Sequence, residues 1–226
     1  MNSETSTPST LNEIIRQRKT EKVLADPAQP VIYSEEQLAD GDQIVSTAIA
    51  DCGMAPFHFN RNLDGVAEPW RIQRLRYADC RRLATELPNL VSDLRPNNKT
   101  AGLLSACSCL IFFTWVPQTA GGDVPSVKLE RVNREHHAAT AAAVQNFLLL
   151  LTAANIRHYW SSGTIFNLHM RDFFGWNDEP RHELMAAIFA SYPDGQGEVE
   201  IVGGKQRTQR TDPERWFRDI TPFAQS

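Results

Sequence analysis

The chain has 226 residues, a formal net charge of -4, 42% apolar and 22% charged side chains, an ordinary balance for a globular protein long enough to bury its own core. That balance excludes a general nucleic-acid binder, which needs a basic surface against phosphates, and leaves room for one local cationic site. The opening MNSETSTPST has no apolar core of the kind a secretory leader carries, and no run of about 18 apolar residues exists to span a bilayer, so a soluble, cytoplasmic protein is expected.

Residues 1–9, rich in Ser and Thr, read as a disordered lead-in to a single domain over 10–226. Ser9 or Thr10 caps a first helix whose Leu11, Ile14 and Ile15 fall at helical spacing and bury one face. The helix ends among Arg16, Arg18, Lys19, Thr20 and Lys22. Projecting together, Arg18, Lys19, Thr20 and Lys22 make an anion pocket, since a guanidinium grips a phosphate with two parallel hydrogen bonds; a solvated basic helix end is the alternative. Pro27 and Pro30 keep Ala25 to Val31 extended. Ser34-Glu35-Glu36-Gln37 is a capping box that opens a helix through Leu38, Ile44, Val45, Ala48 and Ile49, stopping near Gly53.

Next come Ala55-Pro56-Phe57-His58, a polar loop and Glu68-Pro69-Trp70, and two prolines at such places leave a long ordered loop of the kind that often carries function. His58 is its candidate site residue, with a solvated surface group as the alternative. Ile72, Leu75 and Tyr77 suggest a strand that gives way to a helix over Ala78 to Glu86, which Pro88 stops, and residues 88–100 are loop. Ser105 to Val116 is a continuous apolar run such as a central strand covered on both faces shows. Pro117 to Pro125 is loop, followed by the longest helix, Arg131 to Asn155, apolar enough from Ala138 onward to be buried all round, at a domain centre or between subunits. His136 and His137 on it are adjacent and do not share a face, so they do not form a metal pair. Cys52, Cys80, Cys107 and Cys109 lack metal-site spacing and read as buried free thiols.

Arg157-His158-Tyr159 leads into a strand, and Trp160-Ser161-Ser162-Gly163 makes a tight bend whose hydroxyls and amides can hold an anion or a ring carbonyl; plain loop punctuation is the alternative. Met170 to Trp176 reads as a short helix closed by Gly175, and Glu183 to Tyr192 as a strand. The polar tail carries Arg207 and Arg210.

Three stretches together, Arg18-Lys19-Thr20-x-Lys22, Ala55-Pro56-Phe57-His58 with Glu68-Pro69-Trp70, and Trp160-Ser161-Ser162-Gly163, resemble in order and spacing the FMN-dependent nitroreductase family. The first is similar to its Arg-Arg-Ser signature and the others to a subgroup with Pro-Asp-His and Trp-Arg-Ser-Gly motifs. The resemblance covers about residues 10–220. It implies an α+β fold, a mostly antiparallel central sheet flanked by helices with a long buried central helix, assembled as a homodimer. It further implies that Arg18, Lys19, Thr20 and Lys22 hold the FMN phosphate and ribityl chain, that His58, Trp160, Ser161 and Ser162 contact the ring, and that Arg207 or Arg210 returns to the phosphate. Phe57 stands where the subgroup has Asp, and Ser161 where it has Arg, which removes a charge beside the ring. No G-x-G-x-x-G fingerprint or G-x-S-x-G elbow is present. The expected activity is electron transfer from NAD(P)H through FMN to a small-molecule acceptor such as a nitroaromatic or quinone, the flavin carrying the chemistry without a dedicated catalytic acid. A flavin-binding carrier or sensor without turnover is the alternative, and an interaction protein using the helix over 138–155 is a third reading.

Overall fold

The computed structural model describes residues 10–91, 98–119, 126–205 and 209–217. Thr10 opens α1 (Leu11–Gln17) with a capping box: its Oγ1 accepts from the Glu13 amide at 3.3 Å while Glu13 Oε2 accepts from the Thr10 amide at 3.0 Å. After β1 (Glu21–Leu24), the same device opens α2 (Glu35–Cys52), where Ser34 and Gln37 exchange bonds of 3.1 and 2.8 Å, and Gly53 caps its end as the sequence predicts. β2 (Trp70–Leu75) and α3 (Tyr77–Leu90) follow. Pro88 does not stop α3, which runs two residues further: in the last turn a proline forfeits only its own amide bond, and the buried Leu87 carbonyl still accepts from Val91 at 3.1 Å.

The apolar stretch from Ser105 divides differently from its reading as one strand. Residues Thr100–Ala106 form α4 and only Cys109–Trp115 form β3. An apolar run without alternation suits either element, and here packing of Leu103 and Leu104 against α3 decides for helix. α5 (Ser126–Ala153) begins five residues before its predicted start. β4 (Arg157–Ser161), α6 (Thr164–His169), β5 (Glu183–Ser191) and β6 (Glu200–Gly203) complete the order, with a 3-10 turn at Pro213–Arg215. The short helix lies at 164–169 and not at 170–176, where consecutive turns bury Met170 and Trp176 and the Arg171 guanidinium donates to the carbonyls of Trp176 and His182.

Four strands make one antiparallel sheet in the order β2-β3-β5-β4, and β1 pairs with β6 in a separate two-stranded sheet. Strand alternation splits the core between the two faces of the larger sheet. Ile111, Phe113, Ala186 and Ile188 meet α2 and α5 on one side. Leu110, Phe112, Ala187 and Phe189 meet α3, α4 and Phe166 of α6 on the other. β3 is buried along nearly its whole length, as a strand covered on both faces must be. This mixed α and β architecture matches the expected fold class. On α5, Val132, His136, Ala139, Ala143, Phe147 and Leu151 form a buried stripe, whereas Ala138 and Gln145 on the opposite face are exposed and Leu149 half-buried, so within a single chain one face is covered. α1 departs from its reading: it lies against α5 with Ile14 half-buried, but it buries no residue fully, and Leu11 and Ile15 are 63% and 52% exposed.

Candidate functional site

β1 runs beside β4, so the N-terminal cations and the Trp160 bend, far apart in sequence, become neighbours. Their side chains do not all converge. On β1, Val23 turns toward the α5 side of the molecule and Leu24 toward the α3 and α4 side, which places Glu21 with the former and Lys22 with the latter by strand alternation. Lys22 Nζ accordingly sits over the Tyr159 ring, 4.9 Å from its centroid, a cation–π contact on the far side of β4 from Trp160. Lys19 Nζ pairs with Glu21 at 2.8 Å, and Arg157 Nε approaches the same carboxylate at 3.7 Å. The Thr20 carbonyl accepts from the Gly204 amide at 2.9 Å, tying the segment to the end of β6. The sequence pattern therefore led to an overestimate of the pocket's charge: Lys22 belongs to the other face, and Glu21, which alternation alone would have placed among the cations, offsets part of what remains.

His158, which sequence reasoning passed over, occupies the centre of this arrangement. Period-2 spacing puts it on the same face of β4 as Trp160, and the register pairs it with Ala190 while Trp160 pairs with Ile188. The ring is buried, its Nδ1 lies 3.0 Å from the Ile156 carbonyl, and its Nε2 is buried without a hydrogen-bond partner among the described residues. Burial pushes its pKa below the ordinary value; the Ile156 bond acts upward, Arg18 downward and Glu21 upward. Arg18 and Glu21 are thus the charges that bear on it. Neutral, with Nδ1–H given to Ile156, the imidazole keeps an unused acceptor at Nε2.

The bend that follows is built around Gly163, the residue before α6. Its φ of 66° is left-handed, which favours glycine, and a Cβ there would lie 2.4 Å from Leu184 Cδ2 and oblige that side chain to shift. Ser161 Oγ accepts from the Gly163 amide at 3.1 Å, and Ser162 Oγ lies 3.1 Å from Thr164 Oγ1. A hydroxyl that accepts from the chain keeps its own O–H to donate outward. Trp160 beside them is half-buried and packs against the α5-side core.

His58 stands elsewhere. Its Nδ1 meets Glu135 Oε2 at 3.0 Å on the first half of α5, its side chain is 85% exposed, and the neighbouring Phe57 packs edge-on against Trp70 of β2 with centroids 5.7 Å apart. β2 and β4 are opposite edges of the four-stranded sheet, which separates His58 from Trp160 by three strand spacings, roughly 14 Å. Within one chain these predicted ring contacts do not form one site. Arg210 is exposed in the tail, and Arg207 lies outside the described residues. His136 and His137 diverge as adjacent helical positions do, the first buried and the second edge-on to Trp115 at 5.7 Å.

No protein-family model matches the sequence, and no curated protein matches it. Solved structures do. A nitroreductase-like family protein from Bacillus cereus superposes with a TM-score of 0.63 over 96% of this chain and 98% of its own, at 18% identity. The fold is nitroreductase-like. A nitroreductase-like protein from Desulfovibrio desulfuricans, solved with FMN, gives 0.55 over 96% and 100% of the two chains at 20% identity. Nitroreductase CinD from Lactococcus lactis, in complex with chloramphenicol, gives 0.63 over 94% and 100% at 14% identity. The likeness is one of fold, and the residues have to be tested against a flavin on their own. Beside the Arg18 guanidinium, β4 brings an orphaned acceptor at His158 and an aromatic side chain at Trp160 on one face, the bend adds the Ser162 hydroxyl, and Ser161 lies on the opposite face. Cation, acceptor, ring surface and donors are what a phosphorylated, polyhydroxylated, planar molecule needs, so the nitroreductase-like fold carries a donor set that fits FMN.

Proposed function

We propose that the protein binds FMN along the β1–β4 junction and uses it as an oxidoreductase. The observation that carries the reading is the placement of His158 and Trp160 on one face of β4, with Arg18 among the charges that bear on His158 and the Ser162 bend following Trp160. Arg18, with Lys19 and Thr20, neutralises and hydrogen-bonds the phosphate; Trp160 supports the ring; Ser162 donates to its carbonyl edge, and Ser161, turned to the other face of β4, holds the bend by accepting from the Gly163 amide. Lys22, held on Tyr159, acts from the opposite face and shapes the junction without reaching the same anion. Arg207 and Arg210 remain candidates for closing over the phosphate from the tail. The chemistry FMN supplies when bound is a two-electron relay between NAD(P)H and an electron-poor small-molecule acceptor such as a nitroaromatic or quinone. Trp160, packed against the apolar core, would give the ring an apolar surface to rest on.

His58 enters this site from a second copy. The separation of β2 from β4 leaves each chain with half a ring pocket, and the uncovered Leu11 and Ile15 of α1 together with the outward face of α5 supply apolar area for a homodimer. Titration of the purified protein with FMN, followed by flavin fluorescence, tests binding; a colourless protein that quenches no flavin sinks the proposal. Anaerobic mixing of the loaded protein with NADH or NADPH then tests turnover by bleaching of the visible band. One observation favours a carrier or sensor instead: the Ser161 hydroxyl is tied to the Gly163 amide and brings no charge to the ring. Tight FMN binding without fast bleaching identifies that second reading.

A further inference from the structure

We infer that His158 is a flavin-binding residue, its Nε2 accepting a hydrogen bond from a hydroxyl of the ribityl chain. The inference rests on the FMN reading above and extends it to a residue that no motif marks. Position argues first. His158 lies between the Arg18 side, where a phosphate is held, and Trp160, where a ring rests; on a strand, residues two apart on one face are separated by roughly 6.5 Å. A chain joining phosphate to ring has to pass over it.

Chemistry argues second. The Ile156 carbonyl, 3.0 Å from Nδ1, can only accept, so Nδ1 carries the proton and Nε2 is left as a lone pair. That atom is buried and unpartnered among the described residues, in a side chain only 4% exposed. A buried acceptor with no donor is costly, and among the described residues no group donates to it. A ribityl hydroxyl is a neutral donor at the right height above the strand. Trp160 and the serines cannot substitute, since they lie further along β4 and its bend.

Three ligands separate the contributions: FMN, riboflavin, which lacks the phosphate, and lumiflavin, which lacks phosphate and ribityl chain alike. His158→Leu is expected to weaken FMN and riboflavin by a similar factor, about tenfold for one hydrogen bond to a buried acceptor, and to leave lumiflavin unchanged. His158→Gln, whose amide oxygen can accept, restores most of the loss. Arg18→Ala serves as the contrast, weakening FMN far more than riboflavin. Unchanged riboflavin affinity in His158→Leu overturns the inference, and an equal loss for lumiflavin overturns it too by exposing a general collapse of the pocket. Should His158→Leu fail to fold, the unaltered protein still decides: its six histidines are labelled with nitrogen-15, and the Nε2 resonance absent from His158→Gln must shift on riboflavin addition. No shift overturns the inference while FMN binding stands. Failure of the unaltered protein to take up any flavin overturns the FMN reading itself, so the two failures are distinct.

Discussion

Glu21 sets how strongly the N-terminal cations act. Its carboxylate, only 14% exposed in its side chain, holds Lys19 and faces Arg157, and a carboxylate so placed repels a phosphate. Glu21→Gln is expected to tighten FMN several-fold while leaving riboflavin unchanged, which a pair of fluorescence titrations at low salt will show. Gly163 is the residue whose replacement the bend tolerates least. Gly163→Ala places a methyl against Leu184 at a left-handed φ, and a loss of about 1–3 kcal/mol in urea unfolding is expected. His136, His158 and His182 are each held below the ordinary 6.5, in every case chiefly by burial. The unfolded chain therefore takes up protons that the folded chain refuses, so stability is full above pH 6.5 and declines as pH falls below it. Urea midpoints measured from pH 7 to pH 5 are expected to drop, and His158→Gln to flatten the curve.

The elements differ in how much of them could be read from the chain. The ends of α1 and α2 were legible because a capping box is local chemistry, satisfied by residues three apart. The split of the run from Ser105 into α4 and β3 was not, because continuous apolar sequence satisfies both a helix and a doubly covered strand until neighbours are known. β3 is the element the core depends on. Phe112, 1% exposed, touches Phe166, Phe174 and Trp176 with ring centroids about 5 Å apart, and Phe112→Ala is expected to cost about 3–5 kcal/mol, measurable as a lower urea midpoint. α5 carries the apolar length expected of it, yet a single chain covers only one of its faces.

At the scale of the molecule the question is how two half-sites meet. His58 with Phe57 belongs to the β2 edge, and Arg18 with Trp160 to the β4 edge. If the site forms across two copies, light scattering gives twice the 25.4 kDa chain mass. Coexpression of Arg18→Ala with His58→Ala chains then yields mixed dimers with one intact site each, and NAD(P)H oxidation absent from either variant alone returns. A site formed within one chain shows no such rescue.

Taken by itself, the sequence determined what local chemistry determines: the caps, the alternation of β4, the glycine at the bend, and the set of residue types that resemble a flavin site. The fold class followed from that resemblance, since helices interrupt every connection between the strands of the larger sheet and periodicity by itself does not say how they pair. Only the tertiary structure decided which of those residues meet. β1 pairs with β6 and lies against β4 through contacts between the two ends of the chain, and no local pattern encodes that juxtaposition. That packing turned Lys22 onto Tyr159, set Glu21 among the cations, separated His58 from Trp160, and buried His158 with one nitrogen unspent. Side-chain direction on a strand follows from which face its neighbours cover, and that is a property of the assembled sheet.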